Sequence, residues 1–265
     1  MSDDTRPIGV FDSGVGGLTV LRTLSESFPN ENFLYLGDTA RLPYGSKSPE
    51  TIRRYSEQNL LFLAQNNVKA TVIACNSAST QMREPEFQGK PLYNVIAPGA
   101  RAAVKATRDG RIGLIGTRAT VQSGAYVEEI AKLHPEAQIF AQACPLLVPL
   151  AEEGWDADPV TNLIVYRYLQ GLMHERIDTL ILGCTHYPLL TNSIQRVTGS
   201  EVVLVDSGEA IAQQIRQDFQ SGRLSPHTAR TGFLRLCVTD SSSAFAQLSR
   251  KILGPQAPAP EIVNV

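Results

Sequence analysis

The chain has no run approaching the ~18 consecutive apolar residues of a membrane-spanning helix. Its start, MSDDTRPIGVFD, shows neither the basic stretch nor the apolar segment of a secretory signal, so the expected setting is the cytoplasm. Neither sign of charge is in excess. With 24 Lys and Arg against 26 Asp and Glu, the formal net charge is -2, which implies no nucleic-acid or membrane-surface partner. Cysteine is scarce: Cys75, Cys144, Cys184 and Cys237 are too few and too scattered for a disulfide framework or a paired-CxxC zinc site. In a reducing compartment they remain buried thiols, metal ligands or nucleophiles. The glycine-rich loop Gly14-Val15-Gly16-Gly17 lacks the G-x-G-x-x-G spacing of a dinucleotide site.

Short apolar runs alternating with helical segments are what the chain does contain. Ile8 to Phe11 reads as a strand, with a helix from about Leu18 to Phe28 and a second strand at Phe33 to Leu36. Ser48-Pro49-Glu50 has the form of a helix start, Ser48 capping and Pro49 in the first turn. That helix is expected to run to about Asn66, followed by a strand leading to Cys75 and another over Asn94 to Ala97. Such alternation predicts α/β architecture with mostly parallel sheets.

The pattern then restarts. Arg111 to Thr117 (RIGLIGT) resembles Pro7 to Ser13 (PIGVFDS), and Leu180-Ile181-Leu182-Gly183-Cys184 repeats the apolar run that ends at Cys75. The offsets are 104 from Ile8 to Ile112 and 109 from Cys75 to Cys184, a duplication on the scale of a domain. Pro98-Gly99 is read as a linker, Asp206-Ser207-Gly208 as a second boundary, and Gly254 to Pro260 as an extended, weakly ordered tail. The expected division is a first domain of residues 1–98 plus 208–265 and a second of 99–207. The two similar α/β domains would be related by a pseudo-twofold, with the active site in the cleft between them.

In a parallel sheet, ligands bind beyond the carboxyl ends of the strands. Two cysteines at equivalent strand ends would therefore face each other across the cleft. This arrangement suits stereoinversion at a carbon acid: one thiolate removes a proton from one face and the opposite thiol delivers one to the other. Both cysteines precede expected helix starts, the setting that lowers a thiol pKa. A buried Cys is by default a core residue, and a redox disulfide or a zinc held by the two Cys and His186 are further readings. The polar followers, Asn76-Ser77 and Thr185-His186, favour chemistry at Cys75 and Cys184. Cys144 and Cys237 lack such neighbours and read as structural, and His134, His174 and His227 as surface residues.

The segments ACNSAS (74–79), GCTHYPLL (183–190), FDSGVGGLTV (11–20) and GDTARLPYG (37–45) resemble those of the glutamate racemases, in order and spacing, over nearly the whole chain. The resemblance implies two-base interconversion of L- and D-glutamate without pyridoxal phosphate or a metal, supplying D-glutamate for peptidoglycan, by an enzyme that is frequently a homodimer. It implies that Cys75 acts on the D and Cys184 on the L enantiomer, with Asp12 and His186 assisting. Asp12, Ser13, Tyr44, Gly45, Asn76, Ser77, Thr185 and His186 would hold the substrate, Asp12 facing its ammonium. Glu152 resembles an acidic position near the second thiol, with a solvated acidic loop as the plain alternative; Thr117 and Thr120 are further candidates. Ser77 stands where threonine is more usual, and Ala119 where a second glycine is common. Rival readings are a relative acting on aspartate or another carbon acid, and a fold kept for binding a protein partner.

Overall fold

Apolar runs buried on both faces form the centre of each half. A computed structural model describes residues 3–228, 231–240 and 243–265. Every residue of β1 (Ile8–Asp12), β2 (Phe33–Gly37) and β3 (Ala70–Ile73) is buried, as in parallel strands covered from both sides. β1 pairs in parallel with both neighbours. β4 (Glu86–Phe87) forms a short antiparallel pair with β5 (Lys90–Asn94), which lies parallel to β3. The second sheet holds β6 (Arg111–Gly116), β7 (Gln138–Ala143), β8 (Thr179–Gly183) and β9 (Val203–Val205), all parallel. The chain then returns to the first sheet with β10 (Leu234–Val238) and β11 (Glu261–Ile262).

The first sheet runs β11-β10-β2-β1-β3-β5-β4 and the second β7-β6-β8-β9. Within the first, β2-β1-β3-β5 has the order of the whole second sheet. Ile8 and Ile112 therefore lie in equivalent central strands, and Cys75 and Cys184 follow equivalent neighbours. The duplication inferred from the two sequence offsets is present in the topology.

Among the described residues the helices are α1 (Leu18–Ser27), α2 (Pro49–Gln65), α3 (Asn76–Ser79), α4 (Ile96–Ala106), α5 (Arg118–Gln122), α6 (Ala125–Leu133), α7 (Leu147–Glu152), α8 (Pro159–His174), α9 (Thr191–Thr198), α10 (Ser207–Ser221) and α11 (Ser243–Leu253). Strand alternation sends Ile8, Val10, Phe33 and Tyr35 to the face covered by α1, α10 and α11. Phe11, Leu34, Leu36 and Ile73 face α2. In the second half Ile112, Leu114 and Ile181 meet α4 and α6, while Ile115, Leu180 and Leu182 meet α7 and α8. Each fully buried Leu or Ile contributes roughly 1.5–3 kcal/mol. Ser48 caps α2 by accepting from the Thr51 amide, with Pro49 in the first turn, as its sequence predicts.

Five sequence readings change. The strand expected over Asn94 to Ala97 ends at Asn94, and α4 begins two residues later. Asn94 Oδ1 accepts from the Ile96 amide at 3.1 Å, a local bond that turns strand into helix. Pro98 and Gly99 lie inside α4 rather than in a linker, because a proline in the first helical turn removes no intrahelical bond. Asp206 is the N-cap of α10, accepting from the Gly208 and Glu209 amides, so that segment is a helix start. The tail after Gly254 ends as an edge strand: β11 pairs with β10, the Val263 amide donates to the Val238 carbonyl at 2.9 Å, and Glu261 pairs with Arg235. His227 is also less exposed than expected, held between its Asp3 partner and the Glu31 carboxylate, which accepts from its amide.

Candidate active site

Each thiol is placed by the same local event, the end of a buried strand. After β3 the Ala74 amide still bonds to the Phe11 carbonyl at 2.9 Å, and Cys75 then takes the N-cap position of α3. Its Sγ accepts from the Ala78 amide at 3.5 Å and donates to the Ser13 hydroxyl oxygen at 3.6 Å. After β8 come Cys184, Thr185 and His186, and then a 3₁₀ turn over Tyr187–Leu190 with Pro188 in it. Cys184 Sγ lies 3.7 Å from His186 Nδ1, and His186 Nε2 lies 3.0 Å from Glu152 Oε1. Cys75 and Cys184 are only 4 and 6 % exposed, and both line one cavity of ≈ 140 Å³ between the halves.

Polar side chains reach the wall from both halves: Ser13, Asn76 and Ser77 from the first, Thr117, Thr185 and His186 from the second. Tyr44 and Gly45 add the loop after β2. Contacts across the cleft hold this wall together. Thr19 Oγ1 donates to the Thr185 carbonyl at 2.9 Å, Thr185 Oγ1 to Asp12 Oδ1 at 3.3 Å, and the Ser77 and Thr117 hydroxyls are 2.9 Å apart. Two glycines permit the approach. A Cβ at Gly16 would overlap the His186 ring and the Thr185 hydroxyl, and one at Gly45 would stand 2.6 Å from Thr117 Cβ. The glycine-rich loop thus admits the opposite half rather than a dinucleotide.

Burial dominates the electrostatics. It pushes the Cys75 thiol up to about 12, with the Asp12 charge adding to it. The sequence expectation of a thiol lowered by a helix start fails at Cys75, because α3 is one turn long and desolvation outweighs so short a dipole. Asp12, also fully buried, has its carboxyl raised by burial against the lowering effect of His186 and of the Gly17 and Gly14 amides. His186 is pushed up to about 10: burial works against its cation, but Cys184, Glu152 and Asp12 outweigh it. A protonated imidazole beside a sulfur is the arrangement that stabilises a thiolate.

Most of the residues named from sequence meet here. Tyr44 is buried: its hydroxyl bonds to Asp38 and accepts from Asn59 Nδ2 at 3.0 Å. Glu152 is a direct partner of His186 rather than part of a solvated loop, although it lies outside the wall of this cavity. Instead it lines a neighbouring cavity of ≈ 310 Å³ with Leu42, Phe245 and Leu248. Asp12 and Thr120 stand behind the wall; Thr120 accepts from the Thr117 hydroxyl at 3.1 Å. Asp12 also accepts from the Gly14 amide at 3.0 Å, which makes it a turn cap as well. Among the described residues no group of three or more His, Cys, Asp or Glu is arranged to hold a metal ion.

Several wall residues were not singled out from sequence. Arg118 follows Thr117, and Pro145, Val148 and Pro149 follow β7. Their signal was positional, each lying just beyond the carboxyl end of a second-sheet strand. Asp38, fully buried at the end of β2, accepts from Arg41, Asn59 and Thr239 and anchors the loop carrying Tyr44.

Comparison with known proteins identifies the family. Residues 8–215 match the family model described as Asp/Glu/Hydantoin racemase. A glutamate racemase of Syntrophus aciditrophicus is 47 % identical over 266 residues, covering 100 % of this chain and 98 % of the relative. The crystal structure of glutamate racemase isoform RacE1 from Bacillus anthracis superposes with a TM-score of 0.93 at 36 % identity, covering 98 % of each chain. A Francisella tularensis glutamate racemase solved in complex with D-glutamate gives 0.91 at 34 % identity, again over 98 % of both.

Proposed function

This chain belongs to the glutamate racemases of the Asp/Glu/hydantoin racemase family, and on that premise we propose that it interconverts L- and D-glutamate by proton transfer between two thiols. The observation that carries the mechanism is the pair Cys75 and Cys184: two nearly buried sulfurs, on equivalent strand ends, lining one small cavity.

Racemisation through a two-base route requires one sulfur to start as thiolate and the other as thiol. The two sites differ in the required sense. Burial keeps Cys75 protonated, whereas the cation on His186 offers Cys184 a counter-charge. In the L-to-D direction Cys184 removes the α-proton and Cys75 delivers its own from the opposite face. The reverse direction uses the product state, with Cys75 as thiolate and Cys184 as thiol. Positioning falls to the polar side chains of the wall. Asn76 Nδ2 is buried with no partner in the protein, so it is free to donate to a substrate carboxylate, and the hydroxyls of Ser13, Ser77 and Thr185 lie in the same wall. Asp12, held behind Ser13, is the acceptor we assign to the ammonium. A dry cavity strengthens each of these interactions.

No cofactor enters this scheme, and the reaction is expected to survive exhaustive treatment with chelators and carbonyl reagents. Setting the enzyme in the cytoplasm, as the source of D-glutamate for peptidoglycan, belongs to the same reading, as does a homodimer, which equilibrium sedimentation tests. So does the division into residues 1–98 plus 208–265 and 99–207, its first boundary moved to either end of α4. The activity is read by circular dichroism of L-glutamate and, separately, D-glutamate with purified enzyme. Decay of both signals, abolished in Cys75→Ser and in Cys184→Ser, is the expected result. An unchanged signal with wild type sinks the proposal.

A further inference from the structure

Asn76 is the cavity residue whose side chain is half-satisfied. Its Nδ2 has no partner, while its Oδ1 accepts a 2.7 Å hydrogen bond from the Tyr126 hydroxyl. Tyr126 belongs to the other half of the molecule. It lies in the first turn of α6, is 0 % exposed, and does not line the cavity. Its ring is fixed among Ile96, Ala100, Ile112 and Ile181. It also fills the space left by Gly99, where a Cβ would stand 3.1 Å from its Cε1 and Oη. The Pro98-Gly99 pair inside α4 thus provides a slot for this ring.

An asparagine amide can present either end to a partner, and the two choices are opposite in meaning for an anionic substrate. With Oδ1 toward the cavity, Asn76 would offer an acceptor to a carboxylate and repel it. With Nδ2 toward the cavity it offers a donor. The hydroxyl of Tyr126 decides between them when it donates.

We infer that Tyr126 is a positioning residue of the active site, whose hydroxyl locks the Asn76 amide with Nδ2 aimed at a substrate carboxylate. The inference rests on the glutamate reading above. It links substrate binding in the first half to the packing of α4 and α6 in the second, so a residue that never touches substrate controls how well glutamate is held.

The test is a double-mutant cycle on KM and kcat for both enantiomers, using wild type, Tyr126→Phe, Asn76→Ala and the double variant. Loss of one buried hydrogen bond acting through Asn76 raises KM in Tyr126→Phe by about 5- to 10-fold, with kcat changed less than about twofold. Both enantiomers must show the same factor in kcat/KM, since they have equal free energy. In the Asn76→Ala background the Tyr126 substitution has no further effect. An unchanged KM in Tyr126→Phe overturns the inference, as does an effect that multiplies with that of Asn76→Ala, which a merely structural role would give. If Tyr126→Phe does not fold, Gly99→Ala, which crowds the ring without deleting the hydroxyl, takes its place in the cycle with the same two outcomes. Wild-type turnover of glutamate separates the two claims: its absence removes the function itself, whereas its presence with a flat cycle removes only the role of Tyr126.

Discussion

Replacing Glu152 by Gln perturbs the least protected member of the Cys184–His186–Glu152 chain. His186 stands at about 10 against an ordinary 6.5, corresponding to about 5 kcal/mol of preference for the cation. That preference is shared among Cys184, Glu152 and Asp12, acting against burial. Glu152 has a side chain 39 % exposed, so solvent screening reduces its part to about 1 kcal/mol. The substitution is isosteric and leaves a hydrogen-bonding group for Nε2. The expected result is an alkaline limb of the kcat/KM profile moved acidward by just under one pH unit, which lowers kcat/KM about fourfold at pH 10.5 and leaves it nearly unchanged at pH 8. The sign follows from the raised value: the imidazolium, and the stability it lends the fold, is fully present below about pH 6.5 and is lost as the pH climbs through about 10. Weakening the partner brings that loss to lower pH. The assay is the initial rate of circular dichroism change from each enantiomer between pH 6 and 10.5. kcat/KM must fall equally in both directions, whereas kcat alone is free to differ. A kcat/KM within about twofold of wild type at pH 10.5 together with an unmoved alkaline limb would refute the reasoning, since it would leave Glu152 without electrostatic influence on His186.

Two further outcomes follow from burial. In a Cys184→Ser background, alkylation of Cys75 by iodoacetamide is expected to accelerate with pH to at least 10.5 without levelling, because burial holds the thiol up at about 12; a plateau near pH 8.5 contradicts this. Lys69 and Glu31 form a fully buried ion pair at 2.6 Å, with Lys69 also donating to the carbonyls of Asp4 and Ser225. Glu31→Gln, which leaves Lys69 buried without its counter-charge, is expected to cost about 3–5 kcal/mol in urea unfolding while leaving racemase kcat unchanged; a loss below 1 kcal/mol refutes it.

The central strands were legible because burial on both faces writes continuous apolar runs into Ile8–Asp12 and Thr179–Gly183. The thiols were legible because each run ends at a cysteine followed by polar residues. What stayed hidden depends on contacts distant in sequence. NVIAPG reads as a strand and then a linker, since a short apolar run has no period of its own, and only the Asn94 bond to Ile96 settles it as a helix start. The need for glycine at 16 and 45 appears only when the opposite half is in place. Tyr126 sits in an ordinary helix-start segment, and nothing local marks its reach to Asn76, fifty positions away. β11 is two residues long, too short for any alternation to declare itself. The thiol pKa is hidden for a similar reason: helix starts are readable from proline and capping residues, whereas desolvation belongs to the assembled cavity.

The central claim, one thiol on each face of the α-carbon, is tested most directly by proton NMR of glutamate in D₂O with the single-thiol variants. The account predicts that Cys184→Ser exchanges the α-hydrogen of D-glutamate for deuterium while leaving L-glutamate intact, and that Cys75→Ser does the converse, neither inverting the centre at an appreciable rate. Exchange of the same enantiomer by both variants, or full racemisation by either, would contradict it.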